Sequence, residues 1–140
     1  AVDHAATIAD LEPRPCPTED LRIHGYLEDT RTLGHLAVYG SDAPSVLELA
    51  REDPSLAEPL HPRLPYLACE VVWAARREMA RRVEDVLARR TRALLLDARA
   101  AVEASGAVAR LMARELGRDA AWAQDETRAF TDLARRYVLE

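Results

Sequence analysis

The sequence predicts an all-α fold: one domain of about five helices packed as an antiparallel bundle, preceded by an extended, Pro-rich amino-terminal segment. Three observations carry that expectation. Apolar residues recur three and four positions apart through the second half of the chain, no segment sustains period-two alternation, and no proline stands between Leu67 and Glu140. Ala, Leu, Arg and Glu dominate, all of them good helix formers. With 140 residues, 49% of them apolar, the chain can bury one real core, although its single Phe limits the aromatic mass available.

The elements follow in order. Residues 1–28 have little periodicity, and Glu12–Asp20 (EPRPCPTED) holds three prolines in nine positions, so this stretch reads as a linker or cut end in extended form. The helical domain is expected over 29–140. Thr30–Val38 suggests a short helix stopped by Gly40, and Ser41 is the expected N-cap of the next helix, APSVLELARE, with Pro44 in its first turn. Asp53–Tyr66 contains four prolines and reads as a loop or extended crossover. Beyond it, Cys69, Val72, Trp73, Arg76 and Ala80 form one helical stripe, and Val83, Val86, Leu87, Leu94, Ala98 and Ala101 a second. Val108, Leu111, Met112 and Leu116 make a third, closed by Gly117 as the C′ residue. Asp119 is placed to cap a last helix whose stripe runs Trp122, Glu126, Phe130, Leu133 and Tyr137. Trp73, Leu87, Leu94, Leu111 and Phe130 are the expected core anchors.

Composition excludes several kinds of chemistry. Net charge is −5, which argues against a general nucleic-acid surface. All 19 residues of the Lys+Arg count are arginine, so the chain holds no Walker lysine, Schiff-base lysine or lysine general base. Glycines stand only at 25, 34, 40, 106 and 117, which forbids GxGxxG and the dinucleotide cradle it builds. His4, His24, His35 and His61 make no HExxH or HxxxH pair, and no ExxH spacing suggests a metal. Cys16 and Cys69 belong to no CxxC, so a reducing, cytoplasmic setting fits best, with Cys69 a buried structural thiol. No apolar run approaches the roughly 18 residues of a membrane span, and AVDHAATIAD lacks the basic start and apolar block of a signal peptide. Neither catalytic, cofactor-binding nor metal-ligating residues are expected in this chain.

The remaining feature is EDVLARRTRALLL, Glu84–Leu96. On a helix, Leu87 and Leu94 bracket Arg90 and Thr91, so both interrupt a buried stripe. Arg89 and Arg92 lie four and seven residues after Asp85, forming an acid–base row beside it. A guanidinium aimed at the core must find carboxylates or carbonyls. Glu70 and Glu78 are the candidate partners within the chain; a surface outside it and a phosphate are the others.

These residues resemble a known family. Tyr66, then Glu70-Val71-Val72-Trp73-Ala74, then Glu84-Asp85, then Arg89-Arg90-Thr91-Arg92 and a leucine-rich continuation look like the carboxy-terminal helical domain of FAD-dependent glycerol-3-phosphate dehydrogenases. HLAVYGSDAPSVLELA (His35–Ala50) is similar to an earlier helix start of that family, and the likeness runs from about residue 35 to residue 135. It implies a parent enzyme that oxidises sn-glycerol 3-phosphate to dihydroxyacetone phosphate and passes electrons through FAD to a quinone. An alpha-glycerophosphate oxidase parent, which shares this domain type, is equally implied. FAD belongs to an amino-terminal domain, which becomes the expected partner, and the isolated chain is expected to be inactive. The parent is expected on the inner face of the cytoplasmic membrane, with homo-oligomers left open. No catalytic residue carries over onto these positions. On this basis Glu70, Glu78, Glu84, Asp85, Arg89, Arg90, Thr91 and Arg92 are expected to form an interdomain or structural polar network. The alternative is a free-standing helical module that binds a protein through a patch rich in Trp73 or Trp122; a self-contained hydrolase or metalloenzyme has only scattered titratable residues in its favour.

Overall fold

A computed structural model describes residues 1–12 and 14–138; Pro13 of the proline-rich stretch and residues 139–140 lie outside the described residues. The described chain is all-α, with helices α1 (Val2–Ile8), α2 (Ala43–Glu52), α3 (Ala68–Arg77), α4 (Ala93–Leu96), α5 (Ala98–Leu116) and α6 (Ala120–Ala134). Among these residues the only β pairing is an isolated bridge, Pro59 with Leu67.

Helix α5 is the organising element, packing on α6, α3 and α4. Its buried face is Ala100, Ala101, Ala104, Ser105, Val108, Ala109, Met112 and Ala113. Small side chains let neighbouring backbones approach closely and lose no rotamer freedom in doing so. The larger volume comes from the partners: Val71 and Val72 of α3, and Phe130 of α6, the largest fully buried side chain. Two sequence signals set the α5–α6 corner. Gly117 ends α5 at φ 62°, and the Asp119 carboxylate accepts from the Trp122 amide at 2.8 Å to start α6.

Elsewhere the structure corrects the expected elements. Helix α1 lies in the stretch expected to be extended, and it buries no residue. Instead of a short helix, Arg31–Asp42 is a run of 3-10 turns broken at Gly34 (φ 56°, ψ −129°) and Gly40 (φ 51°, ψ −123°). Only glycine reaches those angles readily. At Gly40 the space also demands it, since a Cβ there would lie 1.8 Å from the Gly25 carbonyl oxygen. Ser41 does not cap α2. Asp42 occupies that position and no side chain caps it, because Ser41 lies inside the preceding 3-10 run, with its amide tied back to the Gly25 carbonyl at 3.2 Å. The crossover at Asp53–Tyr66 contains a 3-10 turn, Pro54–Ala57, started by Asp53 accepting from the Ser55 amide.

The largest correction concerns the stripe from Val83 to Ala101. It is not one helix. A π-type turn spans Asp85–Arg90, Arg92 turns left-handed at φ 58°, α4 follows, and Asp97 is extended before α5 begins. The apolar pattern is nonetheless largely obeyed: Val83, Val86, Leu87, Leu94 and Ala101 are buried, and Ala98 is partly buried against the core. Trp73 and Leu111, expected as anchors, are only partly buried and pack on the edge of the core.

Candidate functional site

Four acidic side chains hold the irregular parts of the chain onto the helices, and the arginine block is organised around two of them. Helix α3 carries Glu70 at its first turn, where the side chain reaches back to accept from the Leu67 amide at 2.7 Å. The same carboxylate faces His35 Nε2 at 3.1 Å and accepts from the Tyr39 hydroxyl at 3.0 Å. It is 1% exposed, so three polar partners offset its loss of water. Burial pushes the Glu70 carboxyl above its ordinary range despite those donors. Burial likewise raises the Tyr39 phenol, with the Glu70 charge acting in the same direction. His35 also meets the Tyr66 ring edge-on, 6.2 Å between centroids. Glu70 therefore fastens the 31–42 segment to α3 and makes no contact with the arginine block.

Glu78, at the end of α3, is the partner of Arg90. The guanidinium donates from Nη2 to the Glu78 carbonyl at 2.5 Å, and its Nε lies 3.5 Å from the Glu78 carboxylate. Burial raises the Glu78 carboxyl, with Arg90 pulling the other way. One arginine thereby satisfies both a helix-end carbonyl, which has no partner inside the helix, and the charge beside it.

Asp85 accepts from the amides of Arg81 at 2.9 Å and Arg82 at 3.0 Å, and from Arg89 Nη1 at 2.9 Å. Burial alone would raise its carboxyl, but the two amides and the Arg89 and Arg90 charges hold it below the usual range. Arg89 adds a contact to Glu84 at 2.6 Å. The expected row thus forms at Glu84, Asp85 and Arg89, and Arg92 does not join it, because its backbone has left the helix. Thr91 is buried; its hydroxyl donates to the Val86 carbonyl at 2.9 Å, and its amide closes on the same oxygen at 2.9 Å. That doubly used carbonyl ends the wide turn.

The fourth carboxylate is Glu126. Sequence reading placed it on an α6 stripe without giving it a role. It accepts from the Val83 amide at 3.0 Å and from Arg82 Nε at 3.1 Å, joining α6 to the stretch between α3 and α4. The signal was present: one glutamate at a helical position otherwise flanked by Trp122, Phe130 and Leu133. His35 and Tyr39, four residues apart, gave a weaker signal, since their alignment depends on glycine-broken 3-10 turns.

These arrangements hold backbone amides, carbonyls and neighbouring elements in place. Each carboxylate is engaged by amides or arginines, and Glu70 by His35 and Tyr39 as well. Cys69 is buried, and burial pushes its thiol up to about 11. Among the described residues, no group of three His, Cys, Asp or Glu side chains is placed to hold a metal, no buried side-chain polar atom lacks a partner, and no helix is long and apolar enough to cross a membrane.

The described residues form an all-helical domain whose irregular joints are fastened by carboxylates. Residues 16–123 match the C-terminal domain of alpha-glycerophosphate oxidase, and the chain belongs to that family. It is 41% identical over 85 residues to a probable mitochondrial glycerol-3-phosphate dehydrogenase of Caenorhabditis elegans, covering 61% of this chain and 11% of that protein. Glycerol-3-phosphate dehydrogenase 2 of Mycobacterium bovis is 40% identical over 83 residues, 59% of this chain and 14% of the relative. The mitochondrial glycerol-3-phosphate dehydrogenase of Mesocricetus auratus is 28% identical over 157 aligned positions, 98% of this chain and 21% of the relative. The chain thus spans between 11% and 21% of the length of these relatives. No solved structure matches it.

Proposed function

We propose that this chain is the carboxy-terminal helical domain of an FAD-dependent glycerol-3-phosphate dehydrogenase, a structural cap packed on a flavin and substrate domain and inactive by itself. The observation that carries the proposal is the family match over residues 16–123 together with the small share of each relative that the chain covers. FAD, glycerol phosphate and the electron acceptor are assigned to the preceding part of the parent, since this chain has no glycine spacing able to cradle a pyrophosphate. The eight residues Glu70, Glu78, Glu84, Asp85, Arg89, Arg90, Thr91 and Arg92 serve as structural and interdomain polar groups in this reading. Residues 1–28 act as the connector and 29–140 as the cap. The parent works from the cytoplasmic side of a membrane that it touches through other segments.

A free-standing binding module would be expected to offer its tryptophans to a partner. Here Trp73 and Trp122 are partly buried against the core instead, which favours the cap. The experiment compares the complete polypeptide encoded by the native reading frame with residues 1–140 alone. The complete protein is expected to carry an FAD absorbance band and reduce an artificial acceptor with glycerol 3-phosphate, and residues 1–140 to do neither. Flavin binding or turnover by the shorter chain would overturn the proposal.

A further inference from the structure

The RRTR block divides in a way that the cap reading alone does not explain. Arg89, Arg90 and Thr91 all spend their polar groups inside the domain, on Glu84 and Asp85, on Glu78 and on Val86. Arg92 departs from them. It adopts φ 58°, a conformation that residues with a Cβ reach only at a cost, and its side chain is exposed. Two positions later Leu94 is buried, but Leu95 and Leu96 are 64% and 67% exposed.

A second left-handed residue is linked to the block through Arg90. Met79, at φ 55° and 76% exposed, directly follows the Glu78 carbonyl that Arg90 holds at 2.5 Å. Arg90 thus ties together two bends, at 79 and at 92, each presenting long apolar side chains to solvent. Non-glycine residues in such sparsely populated angles persist only where the surrounding structure holds them there.

Resting on the reading of the chain as the C-terminal domain of a larger enzyme, we propose that this lip of Met79, Arg92, Leu95 and Leu96 is the seat of the preceding part of the same polypeptide. Two considerations select that occupant. First, more than three-quarters of each relative lies outside the aligned region, since the chain spans 11% to 21% of them; most of the mass able to cover the lip is therefore elsewhere in the parent. Second, three Leu- or Met-sized side chains offer only a few hundred Å², short of the ~800 Å² that each partner of a stable interface between separate molecules buries. A second copy would be poorly held by so little. A tethered domain is not, because the linker keeps it at an effective concentration of about millimolar, and interfaces between domains of one chain run smaller and more polar. The exposed Arg92 guanidinium calls for a carboxylate or a row of carbonyls on the seated surface.

The test uses the complete parent with Cys16→Ser, so that the exposed native thiol does not react. Leu96→Cys is compared with Asp125→Cys on α6, whose side chain is 66% exposed, nearly the same as Leu96. Maleimide labelling is expected to be at least about tenfold slower at position 96 than at position 125, at every protein concentration. Equal rates would overturn the proposal. So would slowing at 96 that vanishes on dilution as a dimer dissociates in sedimentation, since the lip would then belong to a second copy. Flavin content and glycerol 3-phosphate oxidation of the unsubstituted parent report separately on the cap reading. A parent that lacks both while still shielding position 96 would sink that reading and leave the seat standing.

Discussion

The α5–α6 pair and the stretch from Glu78 to Asp97 solve the same problem by different means. In α5–α6, side chains at helical spacing fill the interface, and the corner between them is set by Gly117 and by Asp119 bonded to the Trp122 amide. From Glu78 to Asp97 the backbone bends at Met79 and Arg92 and widens at Asp85–Arg90. Amides and carbonyls freed by those bends are returned to partners by Asp85, Arg90, Thr91 and Glu126. The comparison teaches that a chain can bury an apolar stripe without keeping the helix that the stripe suggests, provided charged side chains take over the backbone's hydrogen bonds. It also predicts how each region fails: the first by losing volume, the second by losing acceptors and donors.

Loss of volume should be the more damaging. Phe130 is 2% exposed and fills the face between α6 and its neighbours. Phe130→Ala is expected to cost about 3–5 kcal/mol, since the alanine-rich face of α5 has little freedom to collapse into the space. Chemical denaturation of residues 1–140 would measure it. A cost under about 2 kcal/mol would mean that this pair is not the rigid half of the comparison.

Glu126 joins the two regions and ranks next. Glu126→Ala leaves the buried Val83 amide without an acceptor, an expected cost of about 2–3 kcal/mol. The Arg82 contact adds little, because that arginine is more than half exposed. Glu126→Gln keeps an acceptor for the amide and should recover at least half of the loss in the same titration. If Gln and Ala behave alike, the carboxylate acts as a charge and not as an acceptor, and the account of this joint is wrong.

Much of this was readable beforehand, and the part that was not has a definite cause. The all-α class, the α5 stop at Gly117 and the α6 start at Asp119 depend on contacts within four residues, which sequence displays directly. The membership of the Val83–Ala101 stripe in the core was legible for the same reason. Its three-way break was not, because it depends on Glu126, more than forty residues away, and on the Glu78 carbonyl. A period of 3.6 records which side chains face the core; it does not record whether the backbone between them stays helical. Ser41 failed as a cap for a similar reason: its amide is claimed by Gly25, a long-range approach that no local rule contains. In the arginine block, Glu78 was one of two candidates within the chain for Arg90, beside an outside surface and a phosphate, and only the packing of His35 and Tyr39 around Glu70 separates the two glutamates.

Two of these acids predict opposite responses to pH. Glu70 has its carboxyl raised above an ordinary value of 4.5 by burial, so the folded state binds that proton more tightly than the unfolded chain does. Its contribution to stability is complete below about 4.5 and declines as pH rises through the raised value. Asp85 is held below its ordinary 3.8, so its contribution is present above 3.8 and declines as pH falls through the lowered value. Melting temperature followed upward from pH 4.5 should therefore fall less steeply in Glu70→Gln than in the unsubstituted chain. Asp85→Asn should act on the acid side, flattening the loss below pH 3.8. Parallel curves for Glu70→Gln and the unsubstituted protein would remove the ionised Glu70 from the account of how the 31–42 segment is held.

The smallest effect is expected where the sequence is most conspicuously charged. Arg89 binds Glu84 at 2.6 Å and Asp85 at 2.9 Å, yet its side chain is 52% exposed, and exposed pairs one helical turn apart are worth about 0.3–0.5 kcal/mol. Arg90 is less exposed and donates to a carbonyl with no other source of satisfaction, so Arg90→Ala should cost more, about 1–2 kcal/mol. Adjacent arginines in one block would then differ severalfold, and salt should separate them further. Raising ionic strength from about 0.05 M to 0.5 M, across which the screening length falls well below 10 Å, should abolish the Arg89 effect and leave most of the Arg90 effect in place. If the two substitutions prove equal in size and equally sensitive to salt, the block is a solvated charge cluster, and the Arg90 bond to Glu78 does not hold the bend.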